Sequence, residues 1–237
     1  MTVRGDALKV MSTLGMLGVL KDLIPRWEAQ GGIRVDAVFE PTKSLLARLD
    51  AGEAGDVAIL TEVAVEDLSA KGVLVPDTRM DFAQSFVGLA VRAGAPRPDI
   101  ATVDAVRRAL LDARAVVYSR AGASGIFFAG LLDRLGIAAE VNATAIVVPQ
   151  GFTAEKVVSG EADVAIQQVS ELMAVPGVDV VGRLPDEIGE SVTFSGACFA
   201  NAARRQDGAA FLHFLAGAVT AELLRGKGLE PAPAKRA

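Results

Sequence analysis

Twice along this chain a helix-forming stretch ends in a turn of small residues and runs directly into Asp-Val-Ala-Ile, at residues 56–59 and again at residues 163–166. The flanks repeat too: Asp50-Ala51-Gly52-Glu53-Ala54-Gly55 precedes the first copy, and Ser159-Gly160-Glu161-Ala162 the second. A helix that leaves through glycine and enters an apolar strand through aspartate is one supersecondary unit, and two copies of it predict two similar α/β lobes. A length of 237 residues accommodates two lobes of roughly 100 residues each.

The rest of the chain keeps the same alternation. Residues 7–11 read as a short buried strand, Ser12-Thr13-Leu14-Gly15 as a turn, and Leu17, Leu20, Leu23, Ile24 and Trp27 as the apolar face of a helix. Residues 35–39 form a second strand, and Pro41-Thr42-Lys43-Ser44 opens a helix through Leu45, Leu46 and Leu49. After a helix near 65–70, residues 85–91 make a long apolar strand before the linker-like Ala93-Gly94-Ala95-Pro96-Arg97-Pro98. The second half predicts helices over 102–113, 125–135 and 153–159, strands over 115–118, 144–148 and 163–167, and a helical turn over 169–173. Strands over 178–181 and 192–200 follow, then one last helix over 207–224 before a Pro-rich, basic tail. Repeated β-α alternation implies parallel sheets with right-handed crossovers. The expected fold is α/β with two lobes, residues 1–84 plus 197–237 in the first and 85–196 in the second, and a ligand cleft between them.

Composition narrows the function. Hydrophobic residues make up 51% of the chain and charged residues 22%, a globular rather than a disordered balance. A net charge of −5 with scattered basic residues argues against a nucleic-acid surface, which needs a clustered positive face. Cys198 is the only cysteine, so an internal disulfide and a cysteine metal cluster are excluded; the run around it predicts a buried small hydrophobe. His213 is the only histidine and falls in a helical pattern with Phe211, Phe214 and Leu215, which disfavours histidine triads and zinc. Neither metal nor cofactor is expected. Gly15, Gly18, Gly122 and Gly125 complete no dinucleotide fingerprint, and no Gly-Lys-Ser/Thr phosphate loop exists. No stretch approaches the ~20 apolar residues of a membrane span. The start Met1-Thr2-Val3-Arg4-Gly5-Asp6 lacks the pattern of a signal peptide, so a cytoplasmic location is expected if Met1 is the natural start and a periplasmic one if a leader was removed.

In open α/β sheets the ligand lies beyond the carboxyl ends of the strands, where helix N-termini present their N–H groups. That rule selects Ser12-Thr13, Thr42-Lys43-Ser44, the turn 119–125, Gln150-Gly151-Phe152-Thr153 and Gln167-Gln168. These loops supply hydroxyls, amides, small residues and two cations, but no acidic residue, which is the inventory an anion requires. Tyr118-Ser119-Arg120-Ala121-Gly122-Ala123-Ser124-Gly125 is the strongest piece: glycine and alanine let backbone approach a ligand, Ser124 is expected to cap the next helix, and Arg120 offers a bidentate fork. An ordinary capped turn with an exposed arginine would carry the same residues. Lys43 at a helix start opposes the dipole unless an anion is near. Gln167 and Gln168 end an apolar strand, where a cleft is expected. The candidate ligand-binding residues are therefore Ser12, Thr13, Thr42, Lys43, Ser119, Arg120, Ala123, Ser124, Gly125, Gln150, Gln167 and Gln168.

With these pieces in order, the chain resembles the molybdate-binding-protein-like group of type 2 periplasmic binding proteins. The resemblance rests on residues 8–14 before the first helix, Leu49-Asp50-Ala51-Gly52-Glu53 leading to Asp56-Val57-Ala58-Ile59, residues 119–135 and 162–171, Val181-Gly182-Arg183-Leu184-Pro185, and Lys227-Gly228-Leu229-Glu230-Pro231. It implies an oxyanion site of hydroxyls and main-chain amides, falling here on Ser12, Thr13 and Thr42. Lys43, Arg120 and the glutamine pair depart from that neutral set and suit a longer, more charged ligand. The Arg120 turn and the Gln-Gln-Val-Ser-Glu segment resemble a branch that includes aconitate isomerase, which implies a di- or tricarboxylate.

Two functions follow as expectations. The first is a solute-binding protein that passes its ligand, a di- or tricarboxylate or alternatively molybdate or another oxyanion, to an ABC transporter if exported. The second is a cofactor-independent isomerase moving a proton across an allylic system, whose base would be a lysine, a carboxylate or Tyr118. A ligand-sensing regulatory domain ranks last, because the chain carries no helix-turn-helix.

Overall fold

The computed structural model describes residues 7–120 and 122–233. The starting segment 1–6, Ala121 of the glycine-rich turn and residues 234–237 of the tail lie outside the described residues.

In chain order the elements are β1 (Leu8–Thr13), α1 (Leu17–Ala29), β2 (Val35–Glu40), α2 (Thr42–Asp50), β3 (Val57–Thr61), α3 (Glu62–Ala70), β4 (Met80–Arg92) and α4 (Val103–Asp112). There follow β5 (Val116–Ser119), α5 (Ala123–Arg134), α6 (Ala138–Asn142), β6 (Ile146–Val148), α7 (Ala154–Val158), β7 (Val164–Gln168) and α8 (Val169–Leu172). The chain closes with β8 (Val178–Arg183), β9 (Ser191–Cys198), α9 (Arg205–Ala218), α10 (Ala221–Arg225) and β10 (Glu230–Pro231). It divides into two compact units, residues 1–84 with 192–237 and residues 85–191. Among the described residues no helix is long and apolar enough to cross a membrane.

The first unit is built on parallel strands in the order β2-β1-β3, with β9 antiparallel beside β3. β3 is buried on both faces. Val57 and Ile59 pack with Leu20 and Leu23 of α1 and Phe211 and Leu215 of α9, while Ala58 and Leu60 pack with Leu45 of α2 and Val65 and Leu68 of α3. That period-2 partition is why the strand reads as an unbroken apolar run rather than an alternating one.

The second unit repeats the plan with parallel β6-β5-β7 and β4 antiparallel to β7. Val116, Tyr118, Val164 and Ile166 face Phe128, Leu131 and Leu132 of α5, whereas Val117 and Ala165 face Ala154 and Val157 of α7. α4 begins where Thr102 accepts the Ala105 N–H at 3.2 Å, a side-chain N-cap.

The two aspartates of the repeated motif do the same work. Asp56 Oδ2 accepts the backbone N–H of Lys9 at 2.9 Å, pinning β1 beside β3, and Oδ1 accepts that of Arg204 at 2.9 Å. Asp163 Oδ2 accepts the backbone N–H of Arg114 at 2.9 Å, pinning the entry to β5 beside β7. A short carboxylate that satisfies the first free N–H of the neighbouring strand explains why aspartate precedes the apolar run in both places.

The helix expected over 207–224 is broken. α9 stops at Ala218, Val219 is extended at φ −75° and ψ 104°, and Thr220 starts α10 by accepting the Leu223 N–H at 3.2 Å. Two adjacent β-branched residues, one a strong N-cap, favour the break, and it turns Leu224 into the same core as Leu215. Cys198 is fully buried in that core, while His213 lies on the exposed side of α9.

Candidate ligand-binding site

In the first unit the parallel strands bring the carboxyl ends of β1 and β2 to one edge. Ser12 is fully buried and its hydroxyl lies 3.2 Å from the Thr13 carbonyl, to which it donates; Thr13 is buried beside it. Thr42 is the first residue of α2, and its Oγ1 is buried without a hydrogen-bond partner. Lys43 follows in the same turn and is exposed. An unpaired buried hydroxyl costs about 1–3 kcal/mol, so Thr42 is a donor and acceptor held in reserve.

In the second unit the carboxyl ends of β5, β6 and β7 share an edge for the same reason. The backbone N–H of Arg120 donates to the Val148 carbonyl at 2.8 Å, tying the turn after β5 to the end of β6, while the Arg120 side chain is exposed. Ser119 is buried, and its Oγ accepts the Gly122 N–H at 2.9 Å. α5 starts at Ala123 with Gly122 as its N-cap and no side-chain cap. Ser124 therefore does not cap the helix, contrary to expectation. It lies buried within the first turn, because the hydroxyl that orders this turn comes from Ser119 on the preceding strand. Ala123 and Gln150 are exposed.

Gly125 is dictated by contact. A Cβ there would stand 1.7 Å from the Ser119 carbonyl oxygen, so only glycine lets α5 start this close to the end of β5.

The adjacent glutamines at the end of β7 behave oppositely. Gln167 is committed within the unit: its Oε1 accepts the Thr153 N–H at 2.8 Å and the Thr153 hydroxyl at 3.0 Å, and its Nε2 donates to the Gly151 carbonyl at 2.9 Å. Gln168 is equally buried, yet neither its Nε2 nor its Oε1 has a partner. Strand alternation turns the two side chains to opposite faces, which is why one clamps a loop and the other presents a whole amide.

Sequence reasoning missed Glu171. It is buried, sits in the first turn of α8, and burial pushes its carboxyl up to about 7, against the pull of hydrogen bonds from Gln167 and from the Gln168 backbone. The edge is therefore not purely donor in character. The available signal was spacing, since an acid three residues after a helix N-cap reaches back to the cap N–H. Tyr118 is less suited to neutral-pH chemistry: burial pushes its phenol up, Arg120 pulls it back, and its hydroxyl donates to Asn142 Oδ1 at 2.8 Å.

A groove of about 530 Å³ in the second unit, walled by Val91, Arg92, Pro96, Arg97, Val157 and Asp163, lies elsewhere. Asp163 stands just before β7, at the edge opposite Gln168. The strand-end polar groups of the second unit therefore lie apart from this groove.

A family model described as bacterial extracellular solute-binding protein matches residues 8–230. The aconitate isomerase of Pseudomonas sp is 34% identical over 234 residues, covering 96% of this chain and 89% of that protein. Among solved structures, the periplasmic molybdate-binding protein of Azotobacter vinelandii superposes with a TM-score of 0.77 at 17% identity, over 95% of this chain and all of that one. The sulfate-binding protein SubI of Mycobacterium tuberculosis H37Rv superposes with a TM-score of 0.73 at 19% identity, over 95% and 87% of the two chains. At those identities the two structures speak for the fold alone.

Proposed function

The chain belongs to the family of bacterial extracellular solute-binding proteins, and from that premise we propose that it binds a small di- or tricarboxylate through strand-end donors. The observation that carries this reading is Gln168, a buried amide with both ends unpaired at the carboxyl end of β7. Such a group is costly in the ligand-free protein and is compensated when a ligand oxygen and a ligand hydroxyl or acid proton meet it. Thr42 is the counterpart in the first unit. Arg120 and Lys43, both exposed, supply the positive charge that two or three carboxylates need. As a binding protein of an extracellular family, it would hand the ligand to an ABC transporter.

A thermal-shift panel tests the ligand class. A carboxylate at a hundred times its Kd stabilises the protein by roughly 2.7 kcal/mol. Stabilisation by molybdate or sulfate with no response to citrate, aconitate or tricarballylate overturns the carboxylate assignment. Calorimetry on Thr42→Val and on Gln168→Leu then reads which of the two unpaired donors meets the ligand.

The second reading is catalytic. The relative that is 34% identical along nearly the whole chain is an aconitate isomerase, and Glu171 supplies a carboxyl that changes protonation near neutrality. Following cis- and trans-aconitate by NMR separates the two readings, since only the isomerase interconverts them.

A further inference from the structure

We propose that the groove at the amino end of β7 is a second binding site, apart from the strand-end donors, and that it takes a short apolar peptide with both termini charged. Its volume of about 530 Å³ falls within the range of about 300–1,000 Å³ that holds small-molecule ligands. Val91, Val157 and Val164 give it apolar surface. Ala95, Ala109, Ala113 and Gly160 bring no more than a methyl group to its lining, which is why the space stays open.

Both sides of the groove are fixed by hydrogen bonds within the second unit. On one side Arg97 donates to the Val180 and Val181 carbonyls at 2.8 and 3.0 Å, and the Gly94 N–H donates to Asp179 Oδ2 at 3.0 Å. Pro96 and Pro98 stiffen the segment between them. On the other side Arg114 donates to the Gly160 carbonyl at 2.8 Å and to Asp163 Oδ1 at 3.1 Å, strapping the turn before β7. Walls already ordered in this way spare a ligand the entropy of arranging them.

The charges are divided between the two sides. Arg92 and Arg97 come from the end of β4 and the segment after it, Asp112 from the end of α4 and Asp163 from the turn before β7. Asp163 is paired with Arg114, and Arg97 holds two carbonyls. Arg92 and Asp112 are exposed, and among the described residues the side chain of neither has an ion pair or a hydrogen bond. They line one groove without pairing with each other, so it holds them apart. Asp112 also ends α4, whose last turn carries no basic residue, and a carboxylate at a helix C-terminus is unfavourable until a cation joins it. An unpaired cation and an unpaired anion separated by apolar surface match a ligand of the same three parts. A short peptide supplies a carboxylate for Arg92, an ammonium for Asp112 and aliphatic side chains between them. A single amino acid carries both charges on one carbon and cannot span the two.

Calorimetry of the full chain with the tripeptide Ala-Leu-Ala tests this. The free peptide should bind, and the same peptide acetylated at its amino end and amidated at its carboxyl end should bind about tenfold more weakly. Arg92→Ala and Asp112→Asn should each weaken the free peptide by about threefold, the scale of one exposed charge pair. Ala109→Leu should fill the groove and abolish binding, with a thermal melt to check that the variant folds. The two charge variants sit at exposed positions and carry the test whether or not Ala109→Leu folds. A free peptide that gives no heat at millimolar concentration overturns the proposal, and so does a blocked peptide that binds equally well. Hexanoate bound as tightly as the tripeptide means that only the cation is read, and overturns the zwitterionic assignment. Competition by citrate or aconitate places the peptide at the strand-end donors and overturns the second site, while leaving the carboxylate reading above intact.

Discussion

Gln167 Oε1 accepts two hydrogen bonds from Thr153, one from its backbone N–H at 2.8 Å and one from its hydroxyl at 3.0 Å. The side-chain amide of its neighbour Gln168 accepts none and donates none. Replacing each by leucine should therefore have opposite effects. Gln167→Leu strands the Thr153 N–H and the Gly151 carbonyl and should cost about 2 kcal/mol, seen as a lower midpoint in chemical denaturation. Gln168→Leu removes an unpaired buried amide and should leave stability unchanged or higher, while ligand affinity falls at least tenfold by calorimetry.

Arg120 is exposed in the ligand-free protein, so Arg120→Ala should leave the melting temperature within a degree or two. Its loss should show in binding. An arginine–carboxylate pair shielded by a bound ligand contributes about 2 kcal/mol or more, so carboxylate affinity should drop roughly thirtyfold. Unchanged affinity removes Arg120 from the site.

Gly125→Ala would drive a methyl group into the Ser119 carbonyl oxygen, 1.7 Å from the ideal Cβ position. Backbone cannot yield as a flexible side chain can, so α5 must shift its start. A loss of several kcal/mol in stability is expected, with ligand binding lost even under conditions where the variant stays folded.

Burial raises the Glu171 carboxyl from an ordinary 4.5 to about 7 in the folded protein. Between those two values the folded state holds a proton that the unfolded chain has released, so stability falls as pH rises from about 4.5 to about 7 and is level on either side. The difference amounts to roughly 3 kcal/mol from this one group. Denaturation midpoints measured at pH 5 and pH 8 should differ accordingly, and Glu171→Gln should flatten that part of the curve.

Much of the fold was legible in the residues themselves. The two Asp-Val-Ala-Ile segments became β3 and β7, with their aspartates pinning the neighbouring strands, because apolar runs and short carboxylates at strand entries are local signals. The strand-end loops could be read off as donor-rich edges for the same reason: parallel strands put their carboxyl ends together wherever β-α alternation holds. The break between α9 and α10 was less legible, since a helical hydrophobic period continues across Val219 and Thr220, and their local preference for a break prevails only together with the packing of Leu224.

What the sequence determined alone is which loops carry polar groups. What only the tertiary structure decided is which of those groups are free to act. Gln167 and Gln168 are identical in type and adjacent, yet one is spent on Thr153 and the other is left whole, and nothing in their order along the chain distinguishes them. The same holds for Ser119, which rather than Ser124 orders the turn before α5, and for Glu171, an unremarkable acid in sequence that becomes a near-neutral one when water is removed from around it. Hydrogen-bond satisfaction and desolvation depend on what folds over a residue from far along the chain, so they are properties of the packed structure.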